Sequence, residues 1–190
     1  MRCHPRRLSF RRFVLVVVVG LLAVSHPFAA GANHAGHPQV ADVPGVDCGT
    51  RVVFSPHGDT TATIVEEIAK AGSTIHVALY SLTHPDLVAA LIEAKGRGVE
   101  VALRLDWGQT QRDKQQRQAI QRLRSAGVSV EVSARSRRLH NKFAVIDGRR
   151  ILTGSFNWTK SAEDRNQENV LILDCADLAR LYEQEWDGIE

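Results

Sequence analysis

The stretch HNKFAVIDGRRILTGSFN, residues 140–157, carries two short apolar runs joined at an Asp-Gly pair. The first run is Phe143 to Ile146, and the second, Ile151-Leu152, leads into Gly154-Ser155-Phe156-Asn157. Such a pattern reads as a β-hairpin, with strands over 142–146 and 150–153 turned at Asp147-Gly148. Alternate residues of a strand share a face, so His140 and Lys142 project together. A nucleophile or general acid then stands beside a fixed positive charge, which suits attack on a phosphate. Asp147 closes a strand next to a glycine, where local chemistry favours a turn, and it reads as structural rather than catalytic.

Working outward, the upstream chain alternates strands and helices. Arg51 to Ser55 reads as a strand, and Asp59 or Thr60 caps a helix that carries Ile64, Val65, Ile68 and Ala69 at helical spacing. Thr74 to Tyr80 alternates as a strand, and Pro85 opens a helix ended by Gly96 and Gly98. Val99 to Leu105 is a third strand, Asp106 to Gln109 a loop, Arg112 to Ser125 a polar helix and Val128 to Val132 a fourth strand. Beyond the hairpin come a short helix or loop over 158–164, a strand over 169–173 and a closing helix over 177–187. This order predicts one α/β domain over residues 50–190, with a mostly parallel mixed β-sheet flanked by helices on both faces. No internal repeat is visible.

The N-terminus has a different composition. Arg2, Arg6, Arg7, Arg11 and Arg12 precede an apolar run from Phe13 to Val24, followed by Ala29, Ala30 and Ala32. Residues 1–32 read as a secretory signal peptide, the alternative being an uncleaved anchor, and 33–49 as a flexible linker containing His34 and His37. The expected location is therefore periplasmic or secreted. Without the five leader arginines, 19 Lys and Arg face 21 Asp and Glu, a net charge of −2. That excludes a globally basic nucleic-acid binder. Positive charge is local instead, with Arg135, Arg137 and Arg138 just before His140 and Arg165 after the hairpin. Such a patch concentrates an anionic substrate. Cys48 and Cys175, beside the first and last strands, form an even count in an exported chain; a disulfide and two separate thiols both fit.

The spacing His140-x-Lys142-x4-Asp147, with Gly154-Ser155-x-Asn157 and a downstream Asn166-x-Glu168-Asn169, resembles the HKD signature of the phospholipase D superfamily. FSPHGDTTATIVEEIAKAGSTIHVALYSLTHPDLVAALIEAKGRGVEV and RNQENVLI are similar to segments of the small bacterial endonucleases of that superfamily, and the likeness spans nearly all of 51–188. The resemblance implies that His140 attacks phosphorus to give a phosphohistidine. It implies that Lys142 and Asn157 hold the non-bridging oxygens, that Ser155 adds a hydrogen bond, and that Glu168 accepts from the other imidazole nitrogen. It also implies that Tyr80-Ser81 faces the site. The mechanism needs a second histidine as acid, yet the chain has one motif. A two-fold axis through the site supplies the symmetry mate of His140, so a homodimer with a shared active site is expected.

The expected activity is metal-independent phosphodiester hydrolysis, with no cofactor, by a nuclease of little sequence preference. Arg135, Arg137, Arg138 and Arg165 are candidate contacts to the phosphates of a nucleic acid. One rival is a phospholipase D acting on membrane phospholipids, which an apolar rim from Phe156 and Trp158 would favour. A second rival is a non-catalytic nucleic-acid-binding protein, which has no use for a nucleophile or its orienter. No His-Cys cluster or carboxylate run has metal-ligand spacing. Trp158 reads as core, His57 as a turn residue and His76 as a packed strand residue; Asp106 and Trp107 have no evident role.

Overall fold

A computed structural model describes residues 48–190; the expected leader, His34, His37 and the linker up to residue 47 lie outside the described residues. The elements in order are β1 (Gly49–Ser55), α1 (Thr60–Ala69), β2 (Thr74–Leu79), α2 (Pro85–Gly96), β3 (Glu100–Leu105), α3 (Trp107–Arg112) and α4 (Lys114–Ser125). They continue with β4 (Ser129–Val132), β5 (Lys142–Ile146), β6 (Arg150–Gly154), α5 (Lys160–Asp164), β7 (Glu168–Asp174) and α6 (Ala176–Asp187). One seven-stranded mixed sheet runs in the order β1-β7-β6-β5-β2-β3-β4.

The α/β class and the mixed sheet agree with the sequence reading, but the pairing is less parallel than expected. Only β2-β3 and β3-β4 pair in parallel; the other four pairings are antiparallel. The cause is insertion, not reversal. Strands β1 to β4, linked by helical crossovers, do run the same way, and β6 joins them. The hairpin strand β5 inserts beside β2, and β7 beside β1, so the β1–β2 crossover spans three intervening strands.

Helices cover both faces. Ile64 and Ile68 of α1, Leu87 and Leu91 of α2, and Ile120 and Leu123 of α4 pack with Ile75, Val77 and Leu79 of β2 on one side. Ala179 of α6, with Leu178, Tyr182 and Trp186, meets Phe143, Val145 and Ile151 on the other. Strands buried on both faces thus divide their alternate residues between two apolar clusters. The α6 side is incompletely covered: on the edge strand β1, Val52 and Phe54 are 50% and 59% exposed.

One expected loop is a helix. Asp106 to Gln109 begins α3, because the Asp106 carboxylate accepts the Gln109 N–H at 2.6 Å as an N-cap. Asp113 then caps α4, accepting from Gln115 and Gln116. The polar segment is therefore two helices broken at an aspartate. Cys48 and Cys175 form a disulfide, with Cα atoms 5.1 Å apart, that ties the lead-in of β1 to the N-cap of α6.

Asp147 does structural work. It and Gly148 have φ of 54° and 59°, the sign a type I′ turn demands at both central positions, and the Arg149 N–H closes the turn on Ile146 O at 3.1 Å. Its carboxylate accepts the N–H groups of Gly72, Ser73 and Thr74 and the Ser73 hydroxyl. Partial burial opposes ionisation, but these donors outweigh it and bring the carboxyl from 3.8 down to about 2. Asp147→Ala should cost about 1–2 kcal/mol at pH 7, the exposed position moderating a charge-assisted network. A depressed carboxyl pKa gives stability that is complete above the unfolded value and lost as pH falls. The melting-temperature gap between wild type and variant should be full above pH 4 and close towards pH 2; a gap independent of pH would contradict the assignment.

Candidate active site

The site residues meet along one end of the sheet. Strand β2 ends there at Leu79 and is followed by Tyr80, β3 ends at Leu105 before Asp106, and β6 ends at Gly154 before Ser155. The reversed strands begin there, β5 just after His140 and β7 at Glu168. Open α/β sheets present ligand sites at the carboxyl ends of their parallel strands, and the inserted strands bring their N-termini to the same rim.

His140 and Lys142 do face one another. Lys142 Nζ lies 3.2 Å from His140 Nδ1 and donates to His140 O at 2.8 Å. The imidazole is exposed and its ring centroid is 4.7 Å from that of Tyr80, as the resemblance implied for this residue. The Tyr80 N–H donates to Asn141 O at 3.0 Å, fixing the chain just past the histidine. Burial lowers the His140 pKa below 6.5, and the charges of Lys142 and Arg138 lower it further, while Asp106 acts in the opposite sense. Burial also lowers the Lys142 pKa, against the charge of Glu168. The neutral imidazole is thus favoured near neutral pH.

Gly154 is required by close approach, since a Cβ there would collide with the backbone carbonyl of Asn169. That approach places Ser155, whose Oγ accepts the Asn169 N–H at 3.2 Å and keeps its own proton to donate. Asn157 is half-buried, and its Oδ1 is enclosed without a hydrogen-bond partner. Asn157 lines a groove of about 1010 Å³ that runs from Tyr80 between α4 and α5.

The orienting role read for Glu168 is not made within one chain. Glu168 accepts from Asn166 Nδ2 at 3.0 Å instead of from His140, because β7 holds it across the rim beside Ser55. With Lys142 donating to Nδ1, a neutral His140 ring carries its proton on Nε2, so attack through Nε2 needs this contact exchanged for an acceptor at Nδ1. The arginines divide. Arg165 lines the groove with Asn157, while Arg137 and Arg138 line a second cavity of about 550 Å³ with His140 and residues 188–190. Arg135 lies over the Trp107 ring at 5.2 Å, which gives that tryptophan a contact the sequence did not suggest.

Phe156 and Trp158 are 1% and 3% exposed, so neither contributes an apolar rim. His57 is exposed in a turn, and His76 is held by Glu183 at 2.6 Å and stacked on Trp186. Sequence reasoning missed the α4 glutamines that line the groove, because α4 lies far along the chain from Asn157. Among the described residues, no group of three or more His, Cys, Asp and Glu is placed to hold a metal ion.

The fold and rim define a mixed α/β protein with a His-Lys pair at the foot of a β-hairpin and a serine and asparagine past its far strand. A family model described as cardiolipin synthase, PLD-like domain, matches residues 64–189, and the chain belongs to this phospholipase D-like family. It is 35% identical over 133 residues to a phospholipase D of Rickettsia conorii, covering 70% of this chain and 65% of that protein. It is 35% identical over 135 residues to a mitochondrial cardiolipin hydrolase of Xenopus tropicalis, covering 70% of this chain and 63% of that one. Among solved structures it resembles Nuc from Salmonella typhimurium, a phospholipase D family member, at 28% identity and a TM-score of 0.72, over 75% of this chain and 94% of that one.

Replacing Lys142 by Met removes the charge nearest the imidazole. The His140 pKa, followed by NMR, should rise relative to wild type; an unchanged value would show that Lys142 does not set the charge state of the ring.

Proposed function

We propose that this chain is a metal-independent phosphodiesterase that cleaves nucleic acid, with His140 as nucleophile. The supporting observation is the lining of the groove that leads away from Tyr80 and Asn157. Arg122, Lys160 and Arg165 face a single acid, Asp113, and four glutamines add hydrogen-bonding amides. A sugar-phosphate strand can use the cations and amides of such a surface. In the proposed reaction, His140 Nε2 bonds to phosphorus as the P–O bond to the leaving alcohol breaks. The imidazolium of a second His140 protonates that alcohol, and water then displaces the histidine. Lys142 and Asn157 offset charge on the non-bridging oxygens.

One chain supplies one such histidine, so the reading includes a homodimer sharing the site. Two observations support it. Glu168 accepts from Asn166 and not from His140 in its own chain, leaving the acceptor for the imidazole to be supplied across a two-fold axis. The exposed Val52 and Phe54, on the less covered side of the sheet, are an apolar surface for a second copy. Export through residues 1–32 is part of the same proposal. A phospholipid substrate is the second reading, favoured by the names of the Rickettsia and Xenopus relatives.

The test incubates the chain, with EDTA present, with DNA, RNA and phosphatidylcholine or cardiolipin vesicles. Cleavage of nucleic acid that His140→Ala abolishes is the expected result; cleavage of lipid alone would replace the first reading by the second, and dependence on a divalent ion would overturn the mechanism. Lys142→Met and Asn157→Ala should each lower kcat by roughly 10²–10³-fold, as removal of an oxyanion donor does. Arg165→Ala should weaken binding and reduce the salt slope by about one, the signature of one lost phosphate contact. Mixing His140→Ala with wild-type chains should give heterodimers without turnover; fully active heterodimers would sink the shared site.

A further inference from the structure

A buried aspartate that the proposed reaction does not use lies directly behind the nucleophile. Asp106 is 2% exposed and sits where β3 ends. One carboxylate oxygen caps α3 through the Gln109 N–H. The other accepts the backbone N–H of Leu139 at 3.0 Å, and Leu139 is the residue before His140. On the far side of His140, Asn141 O accepts the Tyr80 N–H at 3.0 Å. The histidine is therefore gripped from both flanks by the ends of two adjacent sheet strands, β3 and β2. The chain needs this grip, because residues 133–141 cross the rim without regular structure. Ser133 is tied at the start of the crossing, where its N–H reaches Leu105 O and its Oγ receives the Trp107 N–H.

We propose that Asp106 is a positioning residue that holds His140 in line through Leu139 and places a negative charge behind the imidazole. This role rests on the phosphohistidine reading of His140. A buried carboxylate with two backbone donors is a rigid anchor, since both acceptors are used and no solvent competes. Its charge also opposes Lys142 and Arg138, the two cations that act on the ring. The other groups around the histidine are Tyr80 at the end of β2, Glu185 and Glu190 in the flanking cavity, and Glu168, which acts on Lys142. Asp106 acts on the ring and accepts the backbone N–H of the residue before it, while Glu185 accepts from the side chain of Asn141, the residue after it. A shared site needs one neutral and one protonated histidine, so a balance of charge around the ring serves both roles.

Asp106→Asn keeps the size but turns one acceptor into a donor facing an N–H. The variant should lose kcat by about 10–100-fold with KM within about two-fold, the pattern of a misaligned group and not of lost binding. The His140 pKa, read by NMR, should fall below the wild-type value, and the acidic limb of the kcat profile should move to lower pH with it. Asp106→Glu, which restores the charge without the bond length, should return the pKa towards wild type and recover only part of kcat. Leu123→Ala, a cavity in the α4 core, controls for stability: it should lower the melting temperature and leave kcat within about two-fold. An Asp106→Asn chain with the His140 pKa and the kcat of wild type would overturn the proposal. So would an Asp106→Asn chain whose loss of kcat is matched by Leu123→Ala at equal loss of melting temperature. The NMR titration needs no substrate, so an inactive wild-type chain would refute the phosphodiesterase reading while the link between Asp106 and His140 is still decided.

Discussion

The pairing of β5 with β2 is the constraint on which the site depends. It runs antiparallel from Ile75↔Ile146 to Leu79↔Lys142, and it is pinned at both ends by backbone N–H groups that need partners. At the far end the Asp147 carboxylate collects the free N–H groups where β2 begins, Gly72 to Thr74. At the near end Tyr80 N–H meets Asn141 O. A slip of one residue would turn Phe143 and Val145 from the α6 cluster to the opposite face and move Ala144 and Ile146 the other way. Register, core division and the position of His140 are therefore one choice. The aspartate of the motif holds that choice from the opposite end of the strand from the histidine.

The rim shows how residues 33–190, with 19 Lys and Arg against 21 Asp and Glu, build an electropositive site. Lys142 and Arg138 act on His140, and Arg165 lies along the groove past Asn157. Burial and these cations favour the neutral imidazole, the form the proposed nucleophile needs, and the buried Asp106 acts against that shift. Lys142 is itself partly buried, so its ammonium is held close to the ring at the cost of solvation, against which Glu168 acts. Each group thus adjusts its neighbour, and none of the shifts belongs to a single residue.

Much of this was legible in the chain. The alternation of strands and helices, the hairpin turn, the burial of Trp158 and the pairing of His140 with Lys142 follow from local periodicity and turn chemistry. Failures came where an interaction crosses the fold. Asp106-Trp107-Gly108-Gln109 looked like a loop because a six-residue helix has too few positions for periodicity to show. The sheet looked more parallel because a sequence displays crossovers but not which strands later insert between them. The motif places Glu168 beside Asn166 along the chain, and within one chain the Glu168 carboxylate accepts from the Asn166 side chain.

The amino-acid sequence alone determined the family, the single copy of its motif and the pairing of His140 with Lys142, because these rest on residue type and on spacing within one hairpin. Only the tertiary structure decided which strands flank that hairpin, how Asn157 opens into a glutamine-lined groove, and what stands behind His140. The physical reason is that backbone donors at strand ends are satisfied by whichever acceptor the fold brings to them. Leu139 finds Asp106 thirty-three residues upstream, and no local pattern records that meeting.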